Sequence, residues 1–147
     1  MAMKNSPKSV ARHQRTRKDH SMETAEDYVE AVDDIVTATG QCRVVDLTRH
    51  FGVSHVTVTR IVSRLVREGF LQTEPYRPIE LTNKGRTLAA ESRKRHQTVY
   101  DLLLALGVSE RIAGIDAEGI EHHVSQETLR CFERFLKTSA PRTDGST

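Results

Sequence analysis

The stretch Val44-Val45-Asp46-Leu47-Thr48-Arg49-His50-Phe51-Gly52-Val53-Ser54-His55-Val56-Thr57-Val58-Thr59-Arg60-Ile61-Val62 decides the fold. It reads as two short amphipathic helices on either side of a turn. The first runs from about Val44 to Phe51 and stops at Gly52, which takes the positive φ that a sharp inter-helix turn needs. Val53 is expected to pack inward behind the turn. Ser54 offers an N-cap oxygen to a second helix, which runs to about Glu68 and ends at Gly69. Val58, Ile61, Val62, Leu65 and Val66 form the apolar stripe of that helix. Ser54, His55, Thr57, Thr59, Arg60 and Arg64 lie off the stripe. Short polar groups near a helix start reach base edges, and arginines reach guanine or phosphate.

Working outward, Tyr28, Val29, Val32, Ile35 and Val36 recur at helical spacing. They predict a helix from about Met22 to Thr39, stopped by Gly40. Downstream, Phe70–Thr73 and Ile79–Thr82 flank Glu74-Pro75-Tyr76-Arg77-Pro78 and predict a β-hairpin with Tyr76 and Arg77 at its tip. Helix, short helix, turn, helix and hairpin are the order of a winged helix-turn-helix. Its recognition helix enters a major groove, and its wing contacts the neighbouring backbone or minor groove. Double-stranded DNA is therefore the expected partner. The rival reading is an ordinary helical hairpin with a solvated polar face.

The remainder predicts three helices, about Asn83 to Leu106, Ser109 to His123 and Ser125 to Lys137. Thr82, Ser109 and Ser125 are the N-caps, and Gly107 is a break. The expected organisation is a disordered basic arm over residues 1–21, a winged helix over 22–92, a helical domain over 93–138 and a flexible tail over 139–147. The fold class is mainly α with a small β-hairpin.

The 147 residues carry a net charge of only +2, but the charge is uneven. Residues 1–20 hold Lys4, Lys8, Arg12, Arg15, Arg17 and Lys18 against Asp19. Residues 108–133 hold Arg111 and Arg130 against Glu110, Asp116, Glu118, Glu121, Glu127 and Glu133. A basic front suits a polyanion, and an acidic back suits a cation. No apolar run reaches the ~18 residues of a membrane span, and no signal peptide opens the chain, so a cytoplasmic protein without a membrane partner is expected. Cys42 and Cys131 stand alone, without a CxxC partner, and are expected to be reduced, partly buried thiols.

The acidic back contains Asp116-Ala117-Glu118-Gly119-Ile120-Glu121-His122-His123. On a helix Glu118, Glu121 and His122 share a face, at positions i, i+3 and i+4. His96 adds an imidazole from the preceding helix. Asp27 and Glu30 add carboxylates, one turn apart on the first helix. If the three helices meet, six donors converge, and a mostly oxygen shell with two imidazoles suits Mn²⁺. Zn²⁺ or Cu²⁺ can still bind more tightly in vitro. Rival readings make Asp27 part of a capping box with Thr24, Glu30 a surface acid and His96 an interhelical polar contact. His123 points some 100° from His122 and is set outside the site, as are His13, His20, His50 and His55.

Asp27-Tyr28-Val29-Glu30, Arg95-His96 and above all Ala117-Glu118-Gly119-Ile120-Glu121-His122-His123-Val124-Ser125 resemble the manganese transport regulator branch of the diphtheria-toxin-repressor family. The resemblance covers about residues 22–137. It implies an N-terminal winged helix joined to a helical dimerisation domain, with a metal site between them. The family's six ligand types match at Asp27, Glu30, His96, Glu118, Glu121 and His122. The iron-sensing branch has Met and Cys where this chain has Asp27 and Glu118, so manganese is implied over Fe²⁺. A metal-loaded homodimer that represses metal-uptake genes, with one or two ions per subunit and no enzymatic activity, is the function implied. Two rivals stand beside it. One is a winged-helix sensor of a small organic ligand. The other is a dinuclear carboxylate enzyme, which has no use for the wing and lacks a second Glu-x-x-His repeat.

Overall fold

The computed structural model describes residues 7–139, with side chains on the first helix described at Arg17 and from His20 onward. Its helices are α1 (Pro7–Thr39), α2 (Val44–Phe51), α3 (His55–Arg67), α4 (Asn83–Ala105), α5 (Glu110–Ile120) and α6 (Gln126–Ser139), with strands β1 (Leu71–Gln72) and β2 (Glu80–Leu81). Two compact units divide between Glu91 and Ser92.

In the first unit α1 begins at Pro7, so residues 7–21, expected as a disordered arm, are helical; residues 1–6 lie outside the described residues. The reason is local. Proline is tolerated at the first helical position, and neither Gly nor Pro occurs from Lys8 to Thr39. Once packing of Ala25, Tyr28, Val29 and Val32 has met the nucleation cost, Ala, Arg, Gln and Lys propagate the helix readily. Thr24 is consequently mid-helix, its hydroxyl donating to the His20 carbonyl at 2.9 Å. It does not form a capping box with Asp27.

Tyr28, Val29 and Val32 share a core with Cys42, Leu47, Val58, Val62, Leu65, Phe70, Leu71 and Ile79. The rings of Tyr28 and Phe51 stack at 4.4 Å. Gly52 takes φ +64° as α2 ends, and its N–H donates to Thr48 at 2.9 Å. Ser54 Oγ accepts from the Thr57 N–H at 3.2 Å. Val53 is 39% exposed, not packed inward as expected.

The hairpin pairs Leu71 with Leu81 and Gln72 with Glu80. Its regular strands are shorter than expected, because Pro75 and Pro78 remove N–H donors from the loop. An isolated antiparallel bridge from Ile79 to Cys42 ties the hairpin to the start of α2. The Thr82 hydroxyl donates to the Gly69 carbonyl at 2.6 Å and accepts from the Gly85 N–H at 3.0 Å. One side chain thus closes α3, aligns β2 and starts α4.

In the second unit Val99, Ala117 and Leu129 are buried, with Tyr100, Leu103, Val124 and Phe132 packed around them. Gly107 turns the chain at φ +94°. The α5 helix stops at Ile120, and Glu121–His123 tighten into a 3₁₀ turn, where an α-helix to His123 was expected. Such tightening is frequent at helix ends. Ser125 caps α6, its Oγ accepting from the Thr128 N–H at 3.1 Å. Among the described residues no helix is long and apolar enough to cross a membrane.

The two thiols differ. Cys42 is buried, and burial first, then the nearby Asp46 charge, pushes its thiol up to about 11. Cys131 is exposed, which departs from the expected partial burial, and receives a 3.2 Å contact from the Arg134 guanidinium. Because the thiolate is the reacting form, an aromatic disulfide reagent at neutral pH is expected to titrate Cys131 alone in the native protein and both cysteines in denaturant. Rapid native reaction of Cys42 would contradict its burial.

Candidate metal centre and nucleic-acid interface

Four of the six proposed donors lie in the second unit; the structure groups His96, Glu118 and Glu121, while His122 meets the group at Glu121. His96 comes from α4, Glu118 from the last turn of α5, and Glu121 and His122 from the 3₁₀ turn. The Glu121 carboxylate is central. Its Oε1 lies 3.5 Å from His96 Nδ1 and 3.4 Å from His122 Nε2. Glu118 Oε1 is 3.6 Å from the same His96 nitrogen. Donor atoms of His96, Glu118 and Glu121 all fall within 4.8 Å of one another. The Glu121 and His122 side chains are almost fully buried, whereas Glu118 is 67% exposed. The cluster is therefore anchored on one side and open on the other. His96 also stacks against Tyr100, which orients its ring.

Glu121 and His122 are sequence neighbours, about 100° apart on an α-helix and about 120° apart in a 3₁₀ turn. Their polar atoms meet at 3.4 Å through the reach of the two side chains, not through the tightening of the turn. Asp27 and Glu30 lie one turn apart on α1 in the first unit, both half-buried. Between them, and buried, is Tyr28; buried Glu26 precedes them. Glu26 was not singled out from the sequence. Its position three residues before the core residue Val29 was the available signal.

The residues expected to read DNA divide into four groups. His55, Thr59 and Arg60 are exposed on α3. Ser54 and Thr57 bond to each other, with hydroxyls 2.9 Å apart, and so finish the first turn of α3. Arg64 is turned inward. Its guanidinium donates to Ser21 Oγ at 2.8 Å and to the Ser21 carbonyl at 3.2 Å, and its Nε lies 3.7 Å from Glu68. It braces α3 against α1, where a DNA contact was expected. At the wing tip Tyr76 is 98% exposed at φ +64°, and Arg77 pairs with Glu74 at 3.3 Å.

Two features of this face were missed. Val56, on the first turn of α3, is 77% exposed; it lies on the side of the helix away from Val58, which was the signal. An apolar group there suits contact with a thymine methyl. A cleft of about 390 Å³ between α2, α3 and the hairpin is lined by Arg43, Thr59, Ser63, Thr73, Tyr76 and Arg77, among others. Arg43 and Ser63 had no role in the sequence reading.

Comparison with known proteins agrees with this division of labour. A model described as the iron dependent repressor N-terminal DNA binding domain matches residues 20–79. Another, the iron dependent repressor metal binding and dimerisation domain, matches residues 82–146. A transcriptional regulator MntR from Salmonella typhimurium is 47% identical over 133 residues, covering 90% of this chain and 85% of that protein. The chain belongs to the MntR branch of the diphtheria-toxin-repressor family. It is a transcriptional regulator, not an enzyme.

Among solved structures, the metal-dependent transcriptional regulator MtsR shares the fold, with a TM-score of 0.69 at 21% identity over 77% of this chain and 53% of that one. A manganese-dependent transcriptional repressor in complex with manganese has a TM-score of 0.63 at 25% identity, over 76% of this chain and 52% of that one. The chain spans about half the length of these solved relatives. In MntR terms, His96, Glu118, Glu121 and His122 fall in the metal-binding and dimerisation domain, and Asp27 and Glu30 in the DNA-binding domain. The former domain also exposes Leu106, Ile115 and Phe135, apolar surface of the kind a dimer interface covers.

Proposed function

We propose that this chain is a cytoplasmic, Mn²⁺-dependent repressor of metal-uptake genes that binds operator DNA as a metal-loaded homodimer. The observation that carries the reading is the convergence of His96, Glu118 and Glu121 donor atoms within 4.8 Å, with His122 Nε2 at 3.4 Å from Glu121. The set fits a cation. An octahedral ion with bonds near 2.1 Å holds adjacent donors about 3 Å apart, close to the 3.4–3.6 Å separations found here. Carboxylate oxygens with imidazoles and no sulfur suit a hard or borderline ion. Manganese also appears in the name of the solved relative at 25% identity.

Asp27 and Glu30 complete the donor set in this reading, as two further oxygen ligands from α1. Glu30 and Glu121 are the candidates to bridge if two ions bind per subunit. Fe²⁺ is a competitor, and Zn²⁺ binds in vitro by the usual affinity order. Bound metal offsets the charge of the carboxylates and ties the ligand-bearing segments together. On the DNA side, His55, Thr59 and Arg60 face base edges, with Val56 beside them. Ser54 and Thr57 shape the start of α3, and Tyr76 and Arg77 contact backbone from the wing.

Fluorescence anisotropy on a duplex from upstream of a manganese-uptake gene tests this, first with chelator and then with Mn²⁺. Salt must be held fixed, because phosphate contacts make affinity salt-dependent. Binding is expected to tighten roughly 5–150-fold with Mn²⁺, the usual span of allosteric coupling. Equal binding in both conditions would overturn the metal dependence and favour the organic-ligand sensor.

A further inference from the structure

Arg64 belongs to the recognition helix, yet its guanidinium is spent on α1. Nη1 and Nη2 hold the hydroxyl and carbonyl of Ser21. Its Nε is buried without a hydrogen bond, the nearest acid being Glu68 at 3.7 Å. A long cationic side chain on the recognition helix, still 29% exposed, is thus anchored to a residue 43 positions away in sequence. Arg60, one turn earlier on α3, is exposed. Whatever sets the bearing of α3 at Arg64 also sets where Arg60 and His55 point.

Ser21 is part of the helix that carries Asp27 and Glu30. Six and nine residues separate it from them, about 9 and 14 Å along a continuous helix at 1.5 Å per residue. No Gly or Pro interrupts that span, so α1 moves there as a rod. We infer that the Ser21–Arg64 contact is a positioning link through which the placement of α1 sets the bearing of the recognition helix. Arg64 acts through this link and not as a DNA contact. The inference rests on Asp27 and Glu30 being metal ligands. Guanidinium suits the task because its planar fork fixes an orientation, which an ammonium does not.

The test compares Ser21→Ala, Ser21→Thr, Arg64→Lys and the charge-removing Arg64→Gln in the full chain. Three quantities are read: the ratio of operator Kd in chelator to that in Mn²⁺, the slope of log affinity against log salt, and Mn²⁺ affinity without DNA. Ala favours helix more than Ser, so Ser21→Ala keeps the fold, and a thermal melt checks it. The expected result is a ratio lowered about 2- to 30-fold, the range for residues that modulate coupling, in Ser21→Ala and Arg64→Lys. Salt slope and Mn²⁺ affinity stay at the parent values. Ser21→Thr, which retains the hydroxyl, restores the ratio.

Two results overturn the inference. One is a parent ratio in Ser21→Ala. The other is weaker binding of Arg64→Gln by the same factor with and without Mn²⁺, with the salt slope reduced by about 0.9, the signature of one lost phosphate contact. Failure of the manganese reading itself is distinguishable: the unsubstituted chain then shows a ratio near one before any variant is made.

Discussion

Glu121→Ala is expected to abolish Mn²⁺-stimulated operator binding while the chain stays folded. Glu121 is 3% exposed, and one of its oxygens faces both His96 and His122. Removing it takes away the central donor and leaves two imidazoles with no carboxylate between them. The ratio of affinities with and without Mn²⁺ should fall from roughly 5–150-fold to about one. The metal-free variant should stay folded with a lowered melt, because removing one member of a buried polar cluster leaves its partners without their contact and opens a cavity. Anisotropy with chelator and with Mn²⁺ reads the first effect, and a circular-dichroism melt reads the second. Stimulation that survives the substitution would remove Glu121 from the metal centre.

The second large effect is on stability. In Gly85→Ala, the new Cβ would run into the carbonyl oxygen of Phe70, with the Phe70 carbonyl carbon and Leu81 Cδ2 close behind. The obstacle is backbone, and it is pinned. Phe70 O accepts the Thr82 N–H at 3.1 Å, and Thr82 Oγ in turn holds the Gly85 N–H and the Gly69 carbonyl. Relief requires α4 to move off the hairpin, which breaks that set of bonds. Overpacking typically costs about 1–3 kcal/mol, and more where backbone must shift. A domain of this size loses about 4–8 °C of Tm per kcal/mol, so the melt of the first unit should fall by about 5–20 °C. A melt within a degree of the parent would show that the α4 start yields freely.

The contrast between Gly52 and Arg64 shows where sequence reading succeeds and where it stops. The positive φ of Gly52 and the Ser54 cap were legible because each is satisfied within four residues. The hairpin was legible for the same reason, from two apolar runs around a Pro-bearing loop. The chemistry of Glu118, Glu121 and His122 was legible as helical spacing. That Glu121 Oε1 meets His122 Nε2 at 3.4 Å was not, because it depends on the conformations the two side chains adopt among their neighbours. The reach of α1 to Pro7 was obscured by charge: a basic segment without an apolar stripe reads as disordered, although nothing in it breaks a helix.

By itself, then, the sequence determined the order of elements, the turn and cap that shape α3, the hairpin, and the hard-donor character of the acidic-histidine cluster. These follow from dihedral preference, capping and periodicity, which act over one or two turns of chain. The tertiary structure alone decided that Arg64 holds Ser21, that Val53 is exposed, and which oxygen of the cluster sits between two imidazoles. A long side chain has many rotamers of similar energy, and its choice is made by a partner distant in sequence, which no local pattern encodes.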